Sequence, residues 1–325
     1  MSRTRKAAFT VLVLASAVAA AAAPGEASAD TVLAQAAAHD LAISGESLFW
    51  SRKESRSRYR LMMLRGGAVT RLPLRPDVFP LRPSAGTDAA GAPVLVYSRC
   101  RRTDSCRALY SFSLGDGRER RLPVKAGHGC ELLAPSIDHG ALAFARYGKC
   151  ADRGVWLRQA DGRLKRFTRR ADVCCTAVVG DAAAWVGAST PGVVHLVVAP
   201  ANGQPFELFR SDDTYPLDAY IGNLNASGGM LYWSVSTWRG RRARVATDAR
   251  VYRASLTRFA DCEATNRELP TRPQDTVIFA VADTGLHYAS RDKILVADAP
   301  PLVFGLDHSP FASLNASTGR GCWMG

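Results

Sequence analysis

Lysine is scarce in this sequence. Six residues (Lys6, Lys53, Lys125, Lys149, Lys165 and Lys293) contribute to a combined lysine and arginine count of 42, so arginine carries nearly all of a net charge of +13. Histidine is equally sparse, and the six present (His39, His128, His139, His195, His287 and His308) are scattered. There is no Cys-x-x-Cys and no histidine at ligand spacing from a cysteine pair, which argues against a zinc ribbon or finger. No Gly-x-Ser-x-Gly occurs, so the nucleophile elbow of a fused serine hydrolase is excluded. A P-loop, His-Glu-x-x-His, an EF-hand loop and Gly-x-Gly-x-x-Gly are missing too. After the first thirty residues no apolar run approaches the roughly 18–20 residues that a membrane-spanning helix needs. Helical periodicity is nearly absent beyond that point, which leaves an all-β chain.

Residues 1–29 have the form of a signal peptide. Arg3, Arg5 and Lys6 supply a positive start, Ala8–Ala23 an apolar core, and Ala27-Ser28-Ala29 a small-residue cleavage site. The expectation is an exported chain with a single domain over residues 30–325 and a net charge of about +11 after removal of the leader.

All eight cysteines (Cys100, Cys106, Cys130, Cys150, Cys174, Cys175, Cys262 and Cys322) lie beyond the leader. An even count in an exported chain reads as four disulfides. Cys100 and Cys106 flank one hairpin tip and form the natural local pair. Cys262 and Cys322, the two nearest the C-terminus, are expected to bond and tie the tail to the fifth repeat. A bridge between the adjacent Cys174 and Cys175 would strain the peptide. Cys130 and Cys150 are therefore each expected to take one of them.

The organising stretch runs from Ala90 to Pro123: an apolar strand, a basic tip, a second strand, Gly115-Asp116-Gly117 as a turn, and a third strand. The unit recurs. Its second strands carry aromatics at Trp50, Tyr97, Phe144, Trp185, Trp233 and Tyr288, spaced by 47, 47, 41, 48 and 55 residues. A period in the forties with four strand-like runs per repeat is the signature of propeller blades rather than helical solenoids. Gly66-Gly67, Asp161-Gly162 and Asn202-Gly203 have the turn chemistry that tight hairpins require. The fold expected is an all-β, six-bladed propeller of four-stranded antiparallel blades. The sixth repeat lacks an evident fourth strand, and either Thr31–Ala34 or Leu302–Gly305 would supply it. An aromatic once per repeat is expected to be core between blades rather than a stacking ladder.

The repeats resemble those of TolB-like six-bladed propellers with WD40-like (PD40) repeats. The resemblance is carried by Pro83-Ser84, Asp88, Gly91, Val94 and Tyr97-Ser98, then by Leu109-Tyr110, Asp116-Gly117 and Arg121-Leu122. The Ser-Pro-Asp-Gly turn typical of that family never appears intact. The resemblance implies an exported, non-catalytic binding scaffold without a cofactor. It also brings an alternative, since some six-bladed propellers are metal-dependent lactonases or lyases acting in the central channel. Channel carboxylates and amides would here be Asp88, Asp138, Asp181, Glu131 and Asn223, which also fit turn-capping roles.

Arginine-rich hairpin tips are the most distinctive polar feature. Arg52, Lys53, Arg56, Arg58 and Arg60 cluster in repeat one. Arg99, Arg101, Arg102 and Arg107 do so in repeat two, and Arg239, Arg241, Arg242 and Arg244 in repeat five beside Trp238. Equivalent tips of a propeller emerge on one side of the ring. The expected binding candidates are Arg52, Arg56, Arg58, Arg101, Arg102, Arg241, Arg242 and Trp238, forming a basic rim for an acidic protein or an anionic cell-envelope polymer. Nucleic acid is not an expected partner, and a monomer is expected. His195 and His287 lie inside strand runs and read as structural. The pairs His39-Asp40, Asp138-His139 and Asp307-His308 are not expected to act as acid–base pairs, because successive strand residues face opposite sides.

Overall fold

A computed structural model of the chain describes residues 31–101, 105–169, 173–190, 193–200, 203–211, 217–239, 245–255, 263–265, 278–282, 285–290, 293–296, 304–306, 312–314 and 322–324. Turn chemistry sets the elements. Between Asp138 and Ala141, His139 (φ 46°) and Gly140 (φ 77°) both adopt the left-handed conformation that a two-residue hairpin needs to match strand twist.

Among the described residues the strands form six sheets. Sheet one comprises His39–Ser44, Ser47–Ser55, Arg58–Arg65 and Ala68–Arg71. Sheet two comprises Ser84–Thr87, Pro93–Cys100, Cys106–Ser113 and Glu119–Arg121. Sheet three comprises Glu131–Asp138, Ala141–Tyr147, Gly154–Arg158 and Leu164–Arg166. Sheet four holds Val173–Val179, Ala182–Thr190, Val193–Ala199 and Phe206–Ser211, extended by Cys322–Met324 and Ala312–Leu314. Sheet five holds Leu217–Ser227, Met230–Arg239, Val245–Ser255 and Glu263–Thr265, extended by Phe304–Leu306. Sheet six joins Ile278–Ala282, Gly285–Ser290 and Lys293–Val296 to the N-terminal strand Thr31–Gln35. The first strands of the six sheets contact one another in cyclic order, each touching the next and the sixth touching the first. They surround the channel.

The architecture is an all-β propeller of antiparallel sheets, four-stranded at their core. Five regular blades are distinguishable, one fewer than the sequence leads one to expect. The aromatic period counts second strands and not the regularity of the sheets built on them. Two sheets here take up extra C-terminal strands, one of them (Cys322–Met324) running parallel to Phe206–Ser211. A third borrows its outer strand from the other end of the chain. Of the two candidates for that strand, Thr31–Gln35 pairs with Lys293–Val296, whereas Phe304–Leu306 adds to sheet five.

The aromatic series is core. Trp50, Tyr97, Phe144 and Trp233 are fully buried and Trp185 is 5 % exposed. Each packs against the preceding sheet: Trp50 with Ala280 and Ile294, Tyr97 with Phe49 and Leu61, and Phe144 with Val96 and Leu109. Trp185 packs with Ala145 and Val155, and Trp233 with Leu196 and Phe209. In these five sheets one large side chain thus fills the wedge against the preceding sheet, and its removal would cost about 3–5 kcal/mol. The side chain of Tyr288 lies outside the described residues.

Cys100 bonds Cys106 across the two strands of one hairpin, as expected. Cys130, however, bonds Cys150 rather than either member of the Cys174-Cys175 pair. Cys130 immediately precedes the first strand of sheet three and Cys150 follows its second, so antiparallel pairing brings both to the same end of one hairpin. The expected Cys262–Cys322 bridge involves Cys262, outside the described residues. His195 is buried, with Nδ1 against the Glu207 carboxylate of the neighbouring strand, a structural role.

Candidate functional site

The first strands do not run straight along the channel. Their pairing with the second strands slips at equivalent places: between His39 and Leu41, Leu133 and Ser136, Val173 and Cys175, and Ile221 and Leu224. Each slip is a β-bulge that re-aims side chains, a device common at barrel rims and functional sites. Asp40 (φ 68°) and Ala134 (φ 46°) occupy bulges in the left-handed region, which costs an alanine on the order of 1 kcal/mol. Ala134 is held there by Thr176, whose Oγ1 donates to its carbonyl from the next sheet. Together with Arg82, Pro83 and Asn223, the bulges surround a cavity of about 50 Å³ in the channel mouth.

Arg82 is exposed and lies 3.5 Å from Asp40 Oδ2. Burial pushes the Asp40 carboxyl above its ordinary value, against the pull of Arg82 and His39. Because strands alternate direction, the segment carrying Arg82, the hairpin tip 55–58 and the strand ends at Cys100 and Cys106 all emerge on this same side, hereafter the tip face.

The tip arginines divide into two sets. Arg56 and Arg101 are exposed on the tip face, as are Arg58 and Arg107 at the starts of the returning strands. Arg52 is half-buried within a strand, opposite Arg60. Glu54 collects three cations: Arg60 Nε donates to it at 2.9 Å, with Arg58 at 3.5 Å and Arg71 at 3.6 Å. Burial opposes ionisation of Glu54, but the Arg60 hydrogen bond and these charges hold its carboxyl below the usual value.

Arg99, expected at a tip, is instead 6 % exposed. It donates to Glu119 Oε1 and to the Arg75 carbonyl, lies 3.5 Å from Asp77 Oδ2, and stacks near the rings of Tyr97 and Tyr110. Tyr97 Oη donates to the same Glu119 oxygen at 2.7 Å, and burial followed by that carboxylate raises the phenol's pKa. Arg146 repeats the arrangement one sheet on, with Nη2 donating to the Lys125 carbonyl and its guanidinium 4.3 Å from the Trp156 ring centre. In both sheets the arginine two places after the core aromatic pins the preceding inter-sheet segment. The repeated aromatic-small-arginine triplet is the sequence signal for this role.

Arg102, Arg241 and Arg242 lie outside the described residues. Trp238 falls within the strand Met230–Arg239, opposite Asp218, rather than in a loop, and its side chain is outside the described set. The structure therefore gathers Arg56, Arg58, Arg101 and Arg107 on the tip face, and adds Arg82, which sequence reasoning missed. Its only signal was an Arg-Pro step directly ahead of a first strand.

The channel carboxylates are not brought together. Asp88 caps its own turn, accepting from the N–H groups of Ala90 and Ala92. Asn223 lines the mouth cavity, and Asp138 a separate cavity of about 200 Å³ at the opposite end. Among the described residues no three His, Cys, Asp or Glu side chains group closely enough to hold a metal ion. Asp138 and His139 do pair, Oδ1 to Nδ1 at 2.7 Å, contrary to expectation. The left-handed turn at His139 breaks the alternation that would have separated them, and Gly180 N–H donates to the other Asp138 oxygen.

No protein-family model and no curated protein matches the chain. Solved structures do. A putative TolB from Agrobacterium tumefaciens is 20% identical with a TM-score of 0.40, over 53% of this chain and 64% of its own. A puromycin-hydrolyzing peptidase from Mycobacterium tuberculosis is 15% identical with a TM-score of 0.46, over 90% and 53%. The chain thus spans less than two thirds of the length of either. The structure of YjhT is 9% identical with a TM-score of 0.50, covering 85% of this chain and 100% of YjhT. That similarity is one of fold.

Proposed function

We propose that this protein is an exported, non-catalytic binding scaffold of the TolB-like type, working as a monomer through the tip face of a six-bladed ring. The ring reading rests on the cyclic contact of the six first strands, with the sheet completed by Thr31–Gln35 as the sixth blade. Export rests on the leader-like first 29 residues, and two disulfides suit a compartment outside the cytoplasm. The partner is an acidic protein or an anionic cell-envelope polymer. The observation that carries this reading is the gathering of exposed guanidinium groups (Arg56, Arg58, Arg101, Arg107 and Arg82) on the face that holds the channel mouth. Guanidinium forks bind carboxylate and phosphate groups in pairs, and exposed ones are weakened by salt.

The test uses poly-L-glutamate as a probe, titrated into the oxidised protein at low and high ionic strength. Binding should weaken with salt, and Arg56→Ala combined with Arg101→Ala should weaken it at low salt about tenfold. A flat salt response, or unchanged binding by the double variant, would overturn the reading.

A further inference from the structure

A cleft of about 240 Å³ opens on the tip face where sheets two and three meet, next to the channel-mouth cavity with which it shares Arg82 and Ala134. Its walls are mostly apolar: Phe79 ahead of sheet two, Leu133, Val173 and Tyr147, and the Cys100–Cys106 bridge. The Ser98 hydroxyl is sealed beneath this wall and Glu131 is engaged within the protein. Small-molecule sites begin at roughly 300 Å³, so this volume suits one side chain of a larger partner better than a separate ligand. Among the described residues Tyr147 is the one tyrosine, tryptophan or phenylalanine that stands exposed, at 42%. Tyrosine and arginine around an apolar pocket are the composition of an interface anchor site.

The rim of the cleft is cationic. Arg82 lines it with a side chain that is 55% exposed, 3.5 Å from Asp40. Arg101 directly follows Cys100, Arg107 directly follows Cys106, and Lys149 lies two places after Tyr147; all three are exposed. The exposed carboxylate of the Lys149 segment, Asp152, faces Arg146 at 3.7 Å. Four cations thus border one apolar pocket. A repeating polyanion offers charge to such a rim but nothing apolar to its centre. An acidic segment of a protein offers both.

We infer that the partner is an acidic protein and that the cleft takes one aromatic side chain of it, flanked by carboxylates that meet the cationic rim. The inference rests on the proposed tip-face reading and chooses between its two partner classes. Burying the anchor adds an apolar contribution that an anionic cell-envelope polymer does not supply.

The test titrates the oxidised protein with three acetylated and amidated pentapeptides: Glu-Glu-Phe-Glu-Glu, Glu-Glu-Ala-Glu-Glu and Gln-Gln-Phe-Gln-Gln. The first should bind about tenfold more tightly than the second, the worth of a buried aromatic side chain. It should also bind about tenfold more tightly than the third at low salt. Higher ionic strength should weaken both acidic peptides while the ratio between them holds, because apolar burial is not screened. Tyr147→Ala should cut the advantage of phenylalanine over alanine to about threefold or less. The peptide comparison on the wild-type chain needs no variant, so a folding defect cannot produce it. The inference is overturned if the first peptide does not bind at millimolar concentration, if the first two bind alike, or if the phenylalanine advantage survives Tyr147→Ala unchanged. Poly-L-glutamate separates the two failures. If its binding weakens with salt while phenylalanine and alanine peptides bind alike, the cleft inference alone fails. If its binding is flat against salt while phenylalanine keeps its advantage, the cationic rim fails and the apolar anchor stands.

Discussion

Arg99 donates through Nε to Glu119 Oε1 at 2.6 Å, across sheet two from its second strand to its outer strand. The same guanidinium reaches Asp77, whose backbone pairs with Tyr59 of sheet one. Two sheets are therefore tied by one buried cation held between two carboxylates. Removing one partner of a buried ionic group strands the other in a medium that solvates it poorly. Arg99→Ala should cost about 3–5 kcal/mol in urea unfolding. Arg101→Ala, two residues on and exposed, should stay within about 0.5 kcal/mol. Equal losses would refute the division of the tip arginines into buried ties and exposed charges.

Gly86 marks a close approach of two first strands. A Cβ there would sit 1.8 Å from the Ile137 carbonyl oxygen of the neighbouring sheet, so Gly86→Ala must push backbone against backbone. The expected loss is roughly 3 kcal/mol, at the upper end for overpacking. Gly115→Ala is the control, with nothing nearer than Ser113 Oγ at 4.0 Å. Thermal unfolding of the two variants should separate them clearly, and an undisturbed Gly86 variant would show that the sheets are free to move apart.

Two carboxyls should give opposite pH signatures. Asp40 is raised in the folded state, mainly by burial, so the folded chain holds its proton more tightly than the unfolded one. Its contribution to stability therefore falls as pH rises from the ordinary aspartate range through the raised folded value. Asp40→Asn should remove that decline, and asparagine tolerates the left-handed backbone at this position. Glu54 is lowered, so its contribution is present above the ordinary glutamate value and disappears as pH falls through the depressed folded one. Urea midpoints measured across the acid range for Asp40→Asn and Glu54→Gln should depart from wild type in opposite senses. Departures of the same sign would contradict these assignments.

The bridge from Cys130 to Cys150 closes a loop with a sequence separation of 20. Replacing both cysteines by alanine should lower stability by about 3 kcal/mol. A non-reduced digest of the wild-type chain should yield one cross-linked peptide pair containing Cys130 and Cys150. Recovery of either cysteine linked to Cys174 or Cys175 would overturn the pairing.

Ser98→Ala tests the cost of a buried hydroxyl. Since its hydroxyl has no partner in the folded chain, truncation removes a desolvated group and no hydrogen bond. Stability should stay level or rise by up to about 1 kcal/mol. A loss greater than this in urea unfolding would show that the hydroxyl is already engaged within the protein.

The local grammar of this protein is written along its chain. Alternating apolar runs, turn residues and an aromatic every forty-odd residues were enough for short antiparallel strands in a repeating propeller, with Trp50, Tyr97, Phe144, Trp185 and Trp233 in its core. Those signals survive because strand pairing within a repeat is local, and a large apolar side chain has one profitable place to go. The Cys100–Cys106 pair was legible for the same reason, since both ends belong to one hairpin. Tertiary structure decided what depends on neighbours in space. Arg99 and Arg101 look alike in the sequence, yet one is buried because Asp77, from the segment between two sheets, and Glu119, from an outer strand, converge on it. Asp138 meets His139 only because a left-handed turn breaks strand alternation. The choice of Cys150 for Cys130 follows from which strand ends the pairing brings together. Arg82 and Tyr147 came to line one cleft through the packing of sheets two and three, a relationship between segments that no periodicity along the chain encodes.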